Sequence, residues 1–272
     1  MTRWNHRHFA VVKRALQHAT TRVPVNMAWR EVVEGLDCGR ISGDEVILGP
    51  EDRRRLRQVT QSAWGFDPLV GPPQGSRLAV SLGARDDKIS RISPDAGFVL
   101  ARGDFGPAVP DSWSLRLPAE AIPWGRFRWA AVVENLDVFD TWRPGDAILS
   151  GSPIVLYRGH DGIAAGVKAA LATMPSELPV VVFPDFDPAG LQIALTMDRA
   201  THLLAPAHPQ KLDAFHAHPD YDAQIEARTY LGSGVSSDCV REMLWPAMRE
   251  HQISCKQQHL IARAIPLALY AL

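Results

Sequence analysis

Three short apolar, β-prone runs constrain this chain more than any other feature, because each one stops at a polar cluster. Residues 127–133 (FRWAAVV) end in Glu134-Asn135, and residues 153–157 (PIVLY) end in Arg158-Gly159-His160-Asp161-Gly162. Residues 179–183 (PVVVF) end in Pro184-Asp185-Phe186-Asp187. Helical stretches at 163–174 and 188–200 alternate with them, and 202–204 reads as a fourth short strand. Continuous apolar strands are buried on both faces, so their alternation with helices predicts a parallel α/β sheet flanked by helices. In such sheets ligands gather beyond the carboxyl ends of the strands. Each polar cluster falls at one of those ends.

The chain has 272 residues, 46% of them hydrophobic, enough for one large core or two modest ones. No run approaches the roughly 18 to 20 apolar residues of a membrane span, and His and Arg interrupt the opening stretch where a secretory signal would be apolar. Three Cys (38, 239, 255) match no zinc or disulfide spacing. These features predict a cytoplasmic protein without membrane partners.

The 29 Lys and Arg nearly balance the 30 Asp and Glu, which excludes a disordered polyelectrolyte, but the charge is unevenly placed. The first thirty residues hold six basic residues and no acidic one. Arg53, Arg54, Arg55 and Arg57 form a second cluster on a helix expected at about 51–63. Either cluster suits a phosphate-contacting surface, and either could equally be a solvated helix face.

Four regions follow. Residues 1–70 read as a basic helical, winged-helix-like module with helices at 4–19 and 28–35 and a strand at 46–48. Residues 71–125, rich in Gly, Pro and Trp, read as an irregular connector with strands at 77–82, 97–101 and 112–117. Residues 126–210 carry the α/β sheet. Residues 211–272 form a helical extension, with helices to about 250 and from 254 to about 269.

Asp185 and Asp187 stand two apart at a strand end, so they project to one side while Phe186 points to the other. Glu134, from another strand end, would complete an acidic cluster that repels itself unless a divalent cation neutralises it. Carboxylates that share an ion with water and substrate phosphates are the usual Mg²⁺ arrangement, and Mn²⁺ should substitute. Such a site suits phosphoryl chemistry. Asp187 before Pro188 also fits a plain helix cap.

The order strand–Glu-Asn, strand–Gly-rich turn–helix, strand–Asp-x-Asp–helix resembles the toprim (Rossmann-like) domain of topoisomerases, primases and several nucleases. VVENLDVFD (132–140), IVLYRGHDG (154–162) and VVVFPDFDPAGLQI (180–193) are similar to the JetD nuclease subunits of Wadjet plasmid-defence systems and their MksG relatives, over about residues 126–205. The resemblance implies a Mg²⁺-dependent DNA endonuclease, with Glu134 as metal ligand or proton-transfer group and Asp185 and Asp187 as the metal-binding pair. It implies double-stranded DNA and an SMC-like ATPase complex as partners, hence nucleoid association, and a homodimer so that both strands are cut. Lys256-Gln257-Gln258-His259 is similar to the Gln-Glu ending of that family, with His259 where an acid stands. Asp87-Lys88 is a weak match to a family Ser-Lys, and makes Lys88 a DNA contact.

His160 is a candidate for proton transfer or phosphate contact and Arg158 for a phosphate clamp. Covalent toprim enzymes of the topoisomerase VI type carry a Tyr nucleophile before the domain. The four Tyr here (157, 221, 230, 270) all follow Glu134, which favours hydrolysis by water. Two alternatives stay open: a non-catalytic DNA-binding adaptor subunit, and a topoisomerase- or primase-like toprim enzyme.

Overall fold

The computed structural model describes residues 6–71, 74–75, 77–83, 97–145, 148–159, 165–212, 218–233 and 239–272. His160 and Lys88 lie outside these residues. The chain divides into two compact units, Met1–Pro94 and Asp95–Leu272.

The first unit places α1 (His6–Gln17), α2 (Met27–Leu36) and α3 (Pro50–Trp64) with a small antiparallel sheet. Its strands are β1 (Arg22–Pro24), β2 (Arg40–Ser42) and β3 (Glu45–Ile47), in the order β1-β3-β2. Phe9, Val12, Trp29, Val32, Leu56 and Trp64 close its core. Asn26 caps α2 by accepting from the Trp29 N–H, and Pro50 opens α3 at the position where a missing N–H costs nothing. A helix-turn-helix needs two successive helices. Here β1 separates α1 from α2, and the β2–β3 hairpin separates α2 from α3, so neither of these neighbouring pairs is joined by a short turn alone. A short helix, α4 (Arg77–Val80), stands where a strand was expected at 77–82.

The second unit is α/β, built on a mixed seven-stranded sheet. Its strands are β4 (Phe98–Gly103), β5 (Leu115–Pro118), β6 (Trp129–Val133), β7 (Pro153–Tyr157), β8 (Val180–Phe183), β9 (His202–Pro206) and β10 (Leu267–Ala271). The order is β10-β9-β8-β6-β7-β4-β5. The inner four strands are parallel, as their unbroken apolar runs require: every residue of β6 and β8 is buried. Helices α5 (Leu136–Thr141), α6 (Ala165–Thr173) and α7 (Pro188–Thr196) follow β6, β7 and β8, and α8 (His218–Ala223), α9 (Ile225–Gly232), α10 (Cys239–Glu250) and α11 (Gln257–Ala262) come from the C-terminal region.

Both outer edges depart from the purely parallel expectation. β4 joins β7 antiparallel and carries β5, so the stretch read as a connector supplies two strands of the main sheet. The helix expected to 269 stops at Ala262; Ala264 turns the chain with φ 49°, and Pro266 lacks the N–H that would continue a helix. The last residues instead form β10, paired antiparallel with β9 from Leu267 to Ala271. Among the described residues no helix is long and apolar enough to cross a membrane.

The topology matters for the site. β7 lies on one side of β6 and β8 on the other, so the chain reverses its direction of travel across the sheet between β6 and β8. The loops leaving these two strands diverge and open a crevice at their carboxyl ends. Glu134 follows β6, and Asp185 and Asp187 follow β8.

Candidate functional site

Glu134 is half-buried, and its carboxylate is held at both oxygens. Oε1 accepts from Arg158 Nη1 at 2.8 Å, and Oε2 accepts from the Asp185 main-chain N–H at 3.2 Å. Two strand ends 51 residues apart in sequence are thereby joined through one side chain. Arg158 is only 5% exposed. Its guanidinium therefore meets Glu134 in the interior instead of standing at the surface as the clamp expected of it, and its N–H continues the β6–β7 ladder onto Val133.

Asp185 Oδ1 accepts from the Gln257 main-chain N–H at 2.8 Å, and its Oδ2 lies 3.4 Å from Lys256 Nζ. Asp187 is buried. One of its oxygens caps α7 by accepting from the Gly190 N–H at 2.8 Å, and the other accepts from Gln224 Nε2 at 2.8 Å. Lys256 Nζ is 3.9 Å from that second oxygen and 3.7 Å from Asp220. Both aspartates thus face one ammonium, as the i, i+2 geometry of an extended strand end requires, while Phe186 between them is buried and bridges to Cys255.

Gln257, fully buried, ties the strand ends together. Its Nε2 donates to the Phe183 carbonyl at the end of β8, and its Oε1 accepts from the Asn135 N–H beyond β6 at 2.7 Å. Asn135 in turn caps α5 through the Val138 N–H. Gly190 is dictated by close approach: a Cβ there would lie 2.0 Å from the Asp185 carbonyl oxygen. The absence of a side chain at Gly190 therefore lets α7 lie against the loop that carries Asp185.

Burial raises the Glu134 carboxyl above its ordinary pKa; Arg158 opposes the shift, and the negative charge of Asp185 reinforces it. Asp185 is likewise raised by burial, against the Gln257 N–H, with the Asp187 charge adding to the rise. For Lys256 burial acts to lower the ammonium's pKa, but the carboxylates of Asp185 and Asp187 outweigh it and hold it above the usual value. Burial and Asp185 push the neighbouring Cys255 thiol up to about 11, so it is not a nucleophile at neutral pH. Tyr221 is buried under Arg228, and burial and Glu134 raise the Tyr157 phenol, so Tyr157 is not prepared as an attacking phenolate.

The donor chemistry suits a hard divalent cation: the carboxylates of Asp185 and Asp187, beyond β8, already hold one cation in the form of the Lys256 ammonium. In the conformation described, however, Glu134 is turned onto Arg158. Among the described residues no three His, Cys, Asp or Glu side chains stand in metal-holding geometry.

Four residues of the site were not assigned roles from sequence. Lys256 and Gln257 sat in a motif valued for the position of His259, which is exposed. Gln224 and Asp220 come from a stretch whose sequence carries no local signal for the site. Of the four clustered arginines, Arg53 donates to the Leu48 carbonyl, Arg54 pairs with Glu51, Arg55 with Asp37 and Arg57 with Asp67.

A family model described as a domain of unknown function (DUF7281) matches residues 96–269. The chain belongs to this family. No curated protein matches the chain. The DUF7281 match takes in Glu134, Arg158, Asp185, Asp187, Gln224, Lys256 and Gln257, so the whole constellation lies within the family domain. The first unit lies outside the DUF7281 match.

Proposed function

We propose that this DUF7281 protein is a metal-dependent endonuclease of toprim type that hydrolyses DNA phosphodiester bonds. The observation that carries the reading is the meeting of Glu134, Asp185 and its neighbour Asp187 at the carboxyl ends of β6 and β8, where the strand order reverses. The similarity of the three strand-end motifs to Wadjet-type nucleases supports it, and supplies the further proposals of a homodimer and an SMC-like ATPase partner.

In this reading Asp185 and Asp187 would hold Mg²⁺ or Mn²⁺, with Lys256 giving way. The bound ion would polarise a phosphate oxygen and lower the pKa of water. Glu134, with its pKa raised by burial, is suited to accept the proton of the attacking water, and Arg158 keeps its carboxylate oriented. Lys256, on a flexible stem and partly exposed, can follow the displaced charge onto a substrate phosphate.

The test is cleavage of supercoiled plasmid with Mg²⁺ or Mn²⁺ by the wild type and by Asp185→Ala/Asp187→Ala. Loss of nicking or linearisation in the variant is expected; equal activity would overturn the proposal. A second reading, a DNA-binding adaptor without catalysis, has its own support. Each carboxylate already has a structural partner: Arg158 for Glu134, Gln257 for Asp185, and Gly190 and Gln224 for Asp187. Absence of Mn²⁺ binding by calorimetry together with intact DNA binding would favour that reading.

A further inference from the structure

The acid-free N-terminal stretch folds around a cleft of about 620 Å³ between the second half of α1, β1 and the start of α2. Arg14, His18 and Arg22 line it beside Asn26, over an apolar floor that includes Val23 and Trp29, and among the described residues no lining residue is acidic. Arg14 and His18 are exposed and have no side-chain partner among the described residues. Arg22 is held by a single exposed ion pair to Glu45 at 3.1 Å, weak enough to yield to a phosphate. The N-terminus of α2, ten residues long, opens at the same place and adds partial positive charge. The α3 arginines differ in having acids at hand: Arg54, Arg55 and Arg57 each pair with a carboxylate of their own unit, whereas Arg14 and His18 pair with none among the described residues.

We propose that this cleft, and not the arginine cluster of α3, binds the phosphate backbone of DNA. Arg14 and His18 are one turn apart, about 6 Å along the helix, and Arg22 faces them from β1. Donors set on two elements around one cleft can take successive phosphates of a strand. The cleft proposal rests on DNA being the partner but not on hydrolysis, and it is read without divalent ions.

Full-length protein in EDTA is titrated into a fluorescein-labelled duplex and followed by anisotropy, with circular dichroism confirming that each variant is folded. Arg14→Glu/Arg22→Glu is expected to weaken binding at least roughly tenfold, and to reduce the slope of log K against log salt by about 2 between about 50 and 200 mM. Arg54→Glu/Arg55→Glu should change affinity less than about threefold. Equal losses from both pairs, or an unchanged cleft variant, would overturn the proposal. So would displacement of the duplex by inorganic phosphate at concentrations where sulfate has no effect, since the site would then serve a free phosphate. Plasmid cleavage by Asp185 variants tests the nuclease reading separately.

Discussion

The main-chain N–H of Gln257 donates to Oδ1 of Asp185 at 2.8 Å across 72 residues of sequence, while the Gln257 side chain bridges the ends of β6 and β8. A C-terminal segment outside the parallel strands therefore sets the spacing of the carboxylates. Replacing Gln257 with Leu keeps much of the volume but strands the Asn135 N–H and the Phe183 carbonyl. The expected cost is about 2–6 kcal/mol, the sum for two buried groups left unpaired, measured by urea denaturation. A loss below about 0.5 kcal/mol would show that the bridge is not needed.

Gly190→Ala asks the backbone for room it lacks, because the new methyl would meet the Asp185 carbonyl at 2.0 Å. Either α7 or the Asp185 loop must move. We expect a drop of about 1–3 kcal/mol in stability, the range for overpacking, and weaker Mn²⁺ binding in the fraction that folds. Wild-type stability and metal affinity would refute the close contact.

Protonation supplies a third prediction. Glu134 and Asp185 are both raised above ordinary values of 4.5 and 3.8, so the folded state binds their protons more tightly than the unfolded chain does. Their contribution to stability therefore falls as pH rises from those ordinary values through the raised ones, and is recovered on acidification. Without divalent ions, the Glu134→Gln/Asp185→Asn variant should lose this part of the pH dependence. The measurement is the denaturant midpoint of both proteins from about pH 4 to 7. Parallel curves would exclude the shifts.

Lys256→Met removes the ammonium that faces Asp185, Asp187 and Asp220. If a divalent ion must displace that charge, the variant should bind Mn²⁺ roughly three- to tenfold more tightly by calorimetry, as expected for losing one partly exposed ion pair. Weaker binding in the variant would mean that Lys256 supports the site instead of competing for it.

The α/β alternation, the strands β6 to β9 and the placement of Glu134, Asp185 and Asp187 at strand ends were legible from sequence, because burial on both faces demands unbroken apolar runs and i, i+2 spacing determines the side of a strand end. The edges were not. β4 and β5 were expected as strands at 97–101 and 112–117, but nothing local there states that they join the main sheet, and β10 is a strand by virtue of its pairing with β9. The partners of the site were hidden for the same reason. Arg158 turns inward to Glu134, Lys256 and Gln257 arrive from the far end of the chain, and Gln224 reaches Asp187 from α8–α9. Sequence by itself determined which residues carry charge at which strand ends. Only the tertiary structure decided which of those charges are already spent, since an ion pair depends on distance in space, and distance along the chain does not fix it.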